Sequence, residues 1–315
     1  MRAKFIGFYK DFSIDKSQLL KKAKIVVDTN VLLDVYRYST ETADQILQML
    51  ESLKGQLWMP YQVAYEYHKD RNDKVLGGHI RTYSQFIKNI NDWEKAFNEE
   101  RKHPFLDNND IIALKQNLND IRNILSRGKE NCSQLIKKDE YKSRIADLYA
   151  GILGEDYSEE EKTKYKNDAR IRYEKQIPPG YKDSNKDDNG YGDYLIWRQM
   201  IDFAKANQCP IIFISNDTKE DWIEDVAGIK IGPRPELIDE FFQETNQWFY
   251  CYSLNRFVEI INSQVVTKEA KAEIENRIRE EALSAEPVVG EVEPTSSPVE
   301  VCMGDTENNQ SVSEV

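Results

Sequence analysis

The segment Lys24-Ile25-Val26-Val27-Asp28-Thr29-Asn30 decides the fold of this chain of 315 residues. Residues 24–27 form a short, mostly apolar and β-branched run, which is typical of a strand that is covered on both faces. A comparable run, Pro210-Ile211-Ile212-Phe213-Ile214, lies much further along the chain. Because helical patterns flank both runs, we predict an α/β fold in which helices flank an open parallel sheet.

Shorter patterns complete this predicted sheet core. Ser39 or Thr40 is placed to cap a helix that starts near Glu41, and Gly55 is placed to end it. Leu57-Trp58-Met59 predicts a short second strand that leads into another helix. The remaining predicted elements are a helix from Tyr194 to Ala206, a helix from Pro235 to Gln243, a strand from Trp248 to Tyr252 and a helix through Phe257, Ile260 and Ile261.

Residues 72–175 interrupt the sheet core with helical patterns alone. Two apolar stripes predict a long antiparallel helical hairpin, broken at His103-Pro104. Two more helices are predicted, over about Asp139–Leu153 and from Ser158, where Glu161 completes a capping box. We therefore divide the chain into a first core part (1–71), a large all-α insertion (72–175), a second core part (176–265), a solvated helix (266–283) and a disordered acidic C-terminal tail (284–315).

The net charge of −12 argues less strongly against a nucleic-acid substrate than its size suggests. Seven acidic residues and no Lys or Arg lie between Leu283 and Val315, and without them the rest of the chain carries −5. The four cysteines form no CxxC pair and no zinc-binding pattern. No apolar run approaches the roughly 20 residues of a membrane-spanning helix. Because no secretion signal opens the chain either, we expect a cytoplasmic protein without a membrane partner.

Four acidic residues are placed where the predicted elements converge. Asp28 and Asp217 follow the two apolar strands, and parallel strands release their loops at one edge of a sheet. Glu66 lies on the helix after the second strand, and Asp193 opens the helix before the strand that Asp217 follows. Clustered carboxylates repel one another unless a cation neutralises them, and such oxygen ligands suit Mg²⁺ or Mn²⁺. The four residues therefore predict a metal site that can activate water at a phosphodiester.

The same residues resemble the acidic motifs of PIN-domain nucleases. The similarity is carried, in this order, by Val26-Val27-Asp28-Thr29-Asn30, Glu66, Gly192-Asp193 and Ser215-Asn216-Asp217. Further segments are similar to the larger bacterial PIN-like proteins that have a helical insertion; these are Pro178–Asp183, Gly192–Trp197, Gly232–Leu237 and Trp248–Tyr252. The resemblance covers residues 24–70 and 176–262, and the insertion more loosely.

This resemblance implies a metal-dependent nuclease with Mg²⁺ or Mn²⁺ as its cofactor. The implied catalytic and metal-binding residues are Asp28, Glu66, Asp193 and Asp217. The implied substrate is RNA, or single-stranded nucleic acid more generally. Small PIN toxins lack an insertion of this length, so their specificity for tRNA or rRNA is not carried over.

Several further residues are candidates for supporting the site. Asn30 and Ser215 can orient the carboxylates, Lys182 can meet a substrate phosphate, and Asp183 can add an outer ligand. For Asp221 we favour a surface role. A basic helix that also carries Tyr165 and Tyr173 is a candidate for binding nucleic acid; its positive residues are Lys162, Lys166, Arg170, Arg172 and Lys175.

Other interpretations of these residues remain open. Asp28, Asp193 and Asp217 can be turn or capping residues, Glu66 can be a solvated helical residue, and the basic helix can be an ordinary solvated face balanced by residues 159–161. A haloacid-dehalogenase-like phosphatase also has an Asp after its first strand, but it needs a second Asp where Asn30 stands. A catalytically silent PIN-like scaffold is the non-enzyme alternative. The hairpin of residues 72–130 then serves as an arm for a protein partner, and it can equally form a homodimer.

Overall fold

The computed structural model describes residues 1, 4–9, 20–97, 106–184, 190–217 and 219–285, with side chains up to residue 281. The predicted break at residues 103–104 and residues 286–315 of the predicted tail lie outside this part of the chain. Among its helices, none is long and apolar enough to cross a membrane.

Helices dominate the described part of the chain. In chain order the α-helices are α1 (Thr29–Asp34), α2 (Thr40–Ser52), α3 (Tyr61–Asp70), α4 (Gly78–Phe97), α5 (Asn108–Lys137), α6 (Glu140–Leu148), α7 (Glu159–Glu174), α8 (Gly192–Asn207), α9 (Pro235–Thr245), α10 (Leu254–Ile260) and α11 (Lys268–Ala285). Short 3₁₀ turns cover Ile6–Tyr9, Lys54–Gln56 and Tyr181–Asp183, and a π-helical segment, Arg71–Gly77, joins α3 to α4. The strands are β1 (Lys24–Val27), β2 (Ile211–Ile214), β3 (Ile223–Val226), β4 (Ile229–Pro233) and β5 (Phe249–Tyr252).

A three-stranded parallel sheet with the order β1-β2-β5 forms the centre of the fold. Val27 pairs with Ile214, and Ile214 pairs with Tyr252, so all three strands end level with one another. The ladder continues one residue further, because Asp28 N donates to Ile214 O over 2.9 Å and Ser215 N donates to Tyr252 O over 3.0 Å. The predicted mixed α/β fold with a parallel sheet flanked by helices is confirmed, and the sheet presents the residues after β1 and β2 at one edge.

The predicted second strand at residues 57–59 is wrong. Leu57 makes only an isolated parallel bridge with Ile25, and Met59 makes another with Leu153. The chain therefore changes its pairing partner within two residues, and Pro60, which follows, has no amide hydrogen for a ladder. A hairpin of β3 and β4 was not predicted. Its two-residue turn has Ala227 and the following glycine at positive φ, and alanine is not a usual turn residue at such a position.

Helices occupy residues 78–97, 108–137, 140–148 and 159–174, as the sequence predicted, although the third of them ends at Leu148 rather than near Leu153. The helices α4 and α5 run antiparallel, because Tyr83 lies against Gly128 and, further along, Arg122 Nε donates to Asn91 Oδ1 over 3.0 Å. The predicted capping box at the start of α7 is confirmed, since Ser158 and Glu161 each accept a backbone hydrogen bond from the other. The N-cap of α2 is likewise confirmed as Ser39, whose side chain accepts from Thr42 N.

The helix α11 is not the solvated helix that its charged composition predicted. Ala270 and Ile274 are buried in the main core. They lie one helical turn apart and form a narrow apolar stripe within a charged sequence, which a composition argument overlooks. Glu273 joins α11 to the start of α2, because its carboxylate accepts hydrogen bonds from Ser39 N and from Thr42 Oγ1.

Replacing Ile274, which is fully buried, tests the packing of α11. We expect Ile274→Ala to lower the free energy of unfolding by about 2–5 kcal/mol, because it leaves a cavity in the core. The exposed neighbour Glu275 is the control, and Glu275→Ala should change stability by about 0.5 kcal/mol or less. Urea unfolding of both variants provides the measurement. Equal effects would mean that α11 does not pack against the core.

Candidate active site

Asp28 stands at the sheet edge directly after β1 and caps α1. Its Oδ1 accepts a hydrogen bond from Thr29 N over 2.7 Å. The other oxygen, Oδ2, accepts from Ser215 Oγ at 2.6 Å and from Asn30 Nδ2 at 2.7 Å. Asp28 is thus a capping residue as well as a candidate ligand, and both of its oxygens are held in fixed directions.

Asn30 and Ser215 form a hydrogen-bonded frame between the ends of β1 and β2. Asn30 Nδ2 also donates to Ser215 Oγ over 3.0 Å, and Asn30 Oδ1 accepts from Asn216 N over 3.1 Å. The predicted positioning role of these two residues therefore has a direct structural basis. The side chain of Asn30 is an amide that donates to Asp28, and an amide is not an acid. Asn30 therefore cannot supply the second carboxylic acid of a dehalogenase-like phosphatase.

Glu66 reaches the same edge from α3. Its Oε2 accepts a hydrogen bond from Thr29 Oγ1 over 3.0 Å, and its Oε1 accepts from Gln62 Nε2 over 2.8 Å. Gly192 lies against this carboxylate, and a Cβ at that position would collide with Glu66 Oε1. The glycine of the Gly192-Asp193 motif therefore leaves room for Glu66, and Glu66 is not a freely solvated helical residue.

Asp193 lies in the first turn of α8 but does not cap it. The helix begins at Gly192, and its N-cap, Tyr191, makes no side-chain capping bond. Asp193 Oδ2 is shut off from solvent and has no hydrogen-bond partner. A capping role for Asp193 is therefore wrong, and a buried carboxylate oxygen without a partner needs another explanation.

Asp217 pairs with a lysine that the sequence analysis did not consider. Lys219 Nζ lies 2.8 Å from Asp217 Oδ2 and 3.1 Å from Asp183 Oδ2. Asp217 Oδ1 also accepts from Lys219 N over 3.0 Å, which forms an Asx turn, so the turn interpretation of Asp217 is correct in part. The spacing Asp217-x-Lys219 directly after a strand was the available signal for this pair.

Burial raises the pKa of Asp28 to about 7 from a usual value of 3.8. The hydrogen bond from Ser215 acts in the opposite direction, and the negative charges of Glu66 and Asp217 add to the increase. Burial also raises the pKa of Glu66, although hydrogen bonds from Gln62 and from the Thr29 hydroxyl oppose this change.

Asp193 is also affected by burial and by its neighbours. Burial raises the pKa of this carboxyl well above its usual range, and Asp217 and Asp28 raise it further. The ammonium of Lys219 acts against them. Burial lowers the pKa of Lys219 itself, but Asp217 and Asp193 outweigh burial, so its pKa is raised and the lysine stays charged. The four predicted acids are therefore linked through Asp28 and Asp217. Lys219 is the counter-ion of Asp217 and Asp193.

The donor chemistry of this cluster fits a hard divalent cation. Carboxylate oxygens are the ligands that Mg²⁺ and Mn²⁺ prefer, and the buried Asp193 Oδ2 lacks a partner. The positions of the side chains fit less well. Among the residues that the structure describes, no three His, Cys, Asp or Glu side chains are grouped so that they could hold a metal ion.

Asp221 and Lys182 make contacts that the sequence did not predict. Asp221 is fully buried, so the favoured surface role is wrong; its Oδ2 accepts from Gly180 N over 3.0 Å and from Lys182 N over 3.3 Å. Asp221 thereby holds the loop that contains Gly180. This loop packs on Asp193, because a Cβ added at Gly180 would lie 3.2 Å from the Cβ of Asp193. Lys182 Nζ pairs with Glu220 over 2.6 Å rather than with the acids of the cluster.

The basic helix α7 is not a continuous phosphate-binding face. Arg172 forms a two-point ion pair with Glu240, and it also donates to Pro178 O, so it holds the fold together. Lys162 pairs with Asp156 and with Glu159. The exposed positive residues of this set are Lys166, Arg170 and Lys175.

The two tyrosines of α7 pack inside the protein. Tyr173 is buried and donates to Gly190 O over 2.7 Å. The ring of Tyr165 lies 4.8 Å from that of Tyr157, measured between centroids, and the Arg198 guanidinium lies over it. Neither ring offers a free face of the kind that the sequence analysis predicted for stacking on bases.

Comparison with known proteins identifies the family. The model of a family described as a PIN-like domain matches residues 24–237, which is more than half of the chain. The chain therefore belongs to the PIN-like domain family, and the resemblance inferred from its motifs is confirmed. All four acids of the cluster lie inside the matched range. A PIN-like domain suggests a nuclease-type fold. Searches of curated proteins and of solved structures found no match.

The raised pKa of Asp28 predicts a pH dependence of stability. The unfolded chain loses this proton near 3.8, whereas the folded protein keeps it until about 7, so the Asp28 contribution to stability falls as pH rises between these values. Asn cannot ionise. We therefore expect the stability of Asp28→Asn relative to wild type to improve by roughly 2 kcal/mol from pH 5 to pH 7. Urea unfolding with a chelator present measures the free energy of unfolding of both proteins. A difference between them that does not vary with pH would contradict the raised pKa of Asp28.

Lys219 should stabilise the metal-free protein by neutralising the acids. We expect Lys219→Met to lower the free energy of unfolding by about 1–2 kcal/mol at pH 8. The expected loss is this small because Lys219 is partly exposed and solvent weakens its ion pairs. The loss should become smaller as pH falls, because the raised pKa of Asp193 favours its neutral form. Lys182→Met, which breaks an exposed pair, is the matched control and should change stability by about 0.5 kcal/mol or less. Equal losses in the two variants would argue against the counter-ion role.

Proposed function

We propose that this protein is a metal-dependent nuclease that hydrolyses phosphodiester bonds of RNA or single-stranded nucleic acid. One observation carries the proposal: four acids from separate parts of a PIN-like fold are linked by contacts at the carboxyl edge of the sheet. Ser215 hydrogen-bonds to Asp28 and to the amide of Asp217. Glu66 accepts from Thr29, which follows Asp28, and lies against Gly192, which precedes Asp193. Grouped carboxylates are costly for stability, so their presence at one place calls for a functional explanation.

The proposed roles follow from the contacts of each residue. Asp28, Glu66, Asp193 and Asp217 would hold the cation, and the buried Asp193 Oδ2 would gain the partner it lacks. When bound, Mg²⁺ or Mn²⁺ would supply activation of a water molecule and neutralise negative charge on the phosphate. Binding would require the acids to rearrange, because no three of them are grouped to hold an ion as they stand in the described residues.

Other side chains would keep the acids in place. Asn30 and Ser215 hold Asp28 Oδ2 in a fixed direction, which reduces the reorganisation needed when a ligand binds. Lys219 keeps Asp217 and Asp183 together while no cation is present. We keep Lys166, Arg170 and Lys175 as candidates for contacting nucleic acid, since all three are exposed.

A catalytically silent scaffold that binds RNA or a protein partner is the second candidate function. The observation in its favour is the Lys219 ammonium, which already neutralises part of the acidic cluster. An internal counter-ion of this kind can make a cation unnecessary for stability. Cleavage of nucleic acid that depends on the acids would exclude this alternative.

The proposal predicts cleavage that requires both a divalent cation and the acids. Purified protein should cut single-stranded RNA or DNA with Mg²⁺ or Mn²⁺ and should be inactive with a chelator. Asp28→Asn combined with Asp193→Asn should lower the rate by about 100-fold or more, as expected when an electrostatic site of this kind is removed. The exposed Asp147 supplies the control, and Asp147→Asn should retain full activity. Equal rates for the double variant and the wild type would overturn the site assignment.

A further inference from the structure

A pocket of about 260 Å³ lies beside the acidic cluster. The helix α3 contributes Tyr61 and Tyr65, which lie one helical turn apart, and α7 contributes Lys162 and Lys166 with the same spacing. Tyr191, at the start of α8, also lines the pocket. Three tyrosines and two lysines thus line one cavity of limited size, and the ring of Tyr191 is itself stacked on that of Tyr173.

Two residues that line the pocket, Gln62 and Gly192, contact the Glu66 carboxylate. Gln62, which lines it, donates from Nε2 to Glu66 Oε1 over 2.8 Å. Gly192 also lines the pocket, packs against Glu66 Oε1 and directly precedes Asp193. A ligand in this pocket is therefore next to the acidic cluster.

The charges of the pocket suit a single nucleotide better than a bare phosphate. Lys162 is 2.6 Å from Asp156 and 3.1 Å from Glu159, and both of these acids line the pocket. The two lysines and the two acids balance, so the pocket does not attract anions strongly as a whole. Lys166 is exposed and can meet one phosphate, and Asp156 and Glu159 can accept hydrogen bonds from the N–H groups of a base.

The tyrosines limit the form of nucleic acid that can enter. Tyr65 is 48% exposed, although the Lys69 ammonium lies 6.0 Å from its ring centroid. Aromatic side chains stack on bases whose faces are free, and in a duplex those faces are covered by neighbouring base pairs. A base can use Tyr61 or Tyr65 only when it is unpaired.

We propose that this pocket binds one unpaired nucleotide of the substrate strand, with its base against Tyr61 or Tyr65 and a phosphate at Lys166. The proposal rests on the proposed nuclease function and adds to it a binding site for one unpaired nucleotide next to the bond that is cut. Specificity for single strands then comes from stacking in the pocket, and the acids themselves do not provide it.

The test is the binding of a fluorescein-labelled single-stranded RNA of ten nucleotides that contains 2-aminopurine, measured with a chelator and separately with Ca²⁺. We expect at least one of Tyr61→Ala and Tyr65→Ala to raise the Kd about fivefold or more and to reduce the quenching of 2-aminopurine, because that variant lacks the stacking partner. Tyr65→Phe retains the ring and should bind like wild type. Lys166→Ala should also weaken binding.

Matched controls lie away from the pocket. Trp93→Ala removes another exposed aromatic residue, and Lys205→Ala removes another exposed lysine; both should leave the Kd unchanged. Circular dichroism and Tm establish that each variant is folded. Affinity for a matching duplex should not depend on the tyrosines. The inference would be overturned if wild-type protein bound the single strand neither with a chelator nor with Ca²⁺. It would also be overturned if both alanine variants of the tyrosines bound like wild type.

Cleavage measured on the same proteins separates this inference from the proposed function. Cleavage of single strands at wild-type rate by both tyrosine variants would overturn the pocket assignment and leave the nuclease function intact. Tyrosine-dependent binding by a protein that cuts nothing with Mg²⁺ or Mn²⁺ would support the pocket and overturn the nuclease function.

Discussion

Carboxylates that lie together at the edge of the β1-β2-β5 sheet impose the main constraint on this structure. Removing such groups from water disfavours their charged form, and each nearby negative charge adds to the cost. The raised pKa values of Asp28 and Asp193 express that cost. Nearby polar groups reduce this cost by stabilising the charged carboxylates. Ser215 donates to Asp28, and the Lys219 ammonium lies beside Asp217 and Asp183.

The segment Ser215-Asn216-Asp217 shows how closely fold and site are linked. Ser215 holds Asp28, and Asp217 pairs with Lys219. Asn216, which lies between them, has a structural role: its Nδ2 donates to the buried Asp34 over 3.1 Å, and its Oδ1 accepts from Leu254 N over 3.1 Å. One short turn after β2 therefore joins α1 and α10 to the sheet while it positions two polar groups at the site.

Local patterns in the sequence were sufficient for part of this account. The apolar run before Asp28 predicted β1, and the topology rule for parallel strands then placed Asp28 and Asp217 at one edge. Lys219 and Asp221 could not be assigned in the same way, because their roles depend on the path of the loop after β2 and on the loop at residues 180–183. The buried stripe on α11 was overlooked because two apolar residues in a charged helix give a weak periodic signal.

Binding of Mn²⁺ followed by isothermal titration calorimetry tests the central claim most directly, because it reports on the acidic cluster without any substrate. We predict one or more saturable sites in the wild-type protein, with binding that is lost or strongly weakened in Asp193→Asn and retained in Asp147→Asn. Wild-type protein that takes up no Mn²⁺, or the same binding in Asp193→Asn as in wild type, would contradict the account.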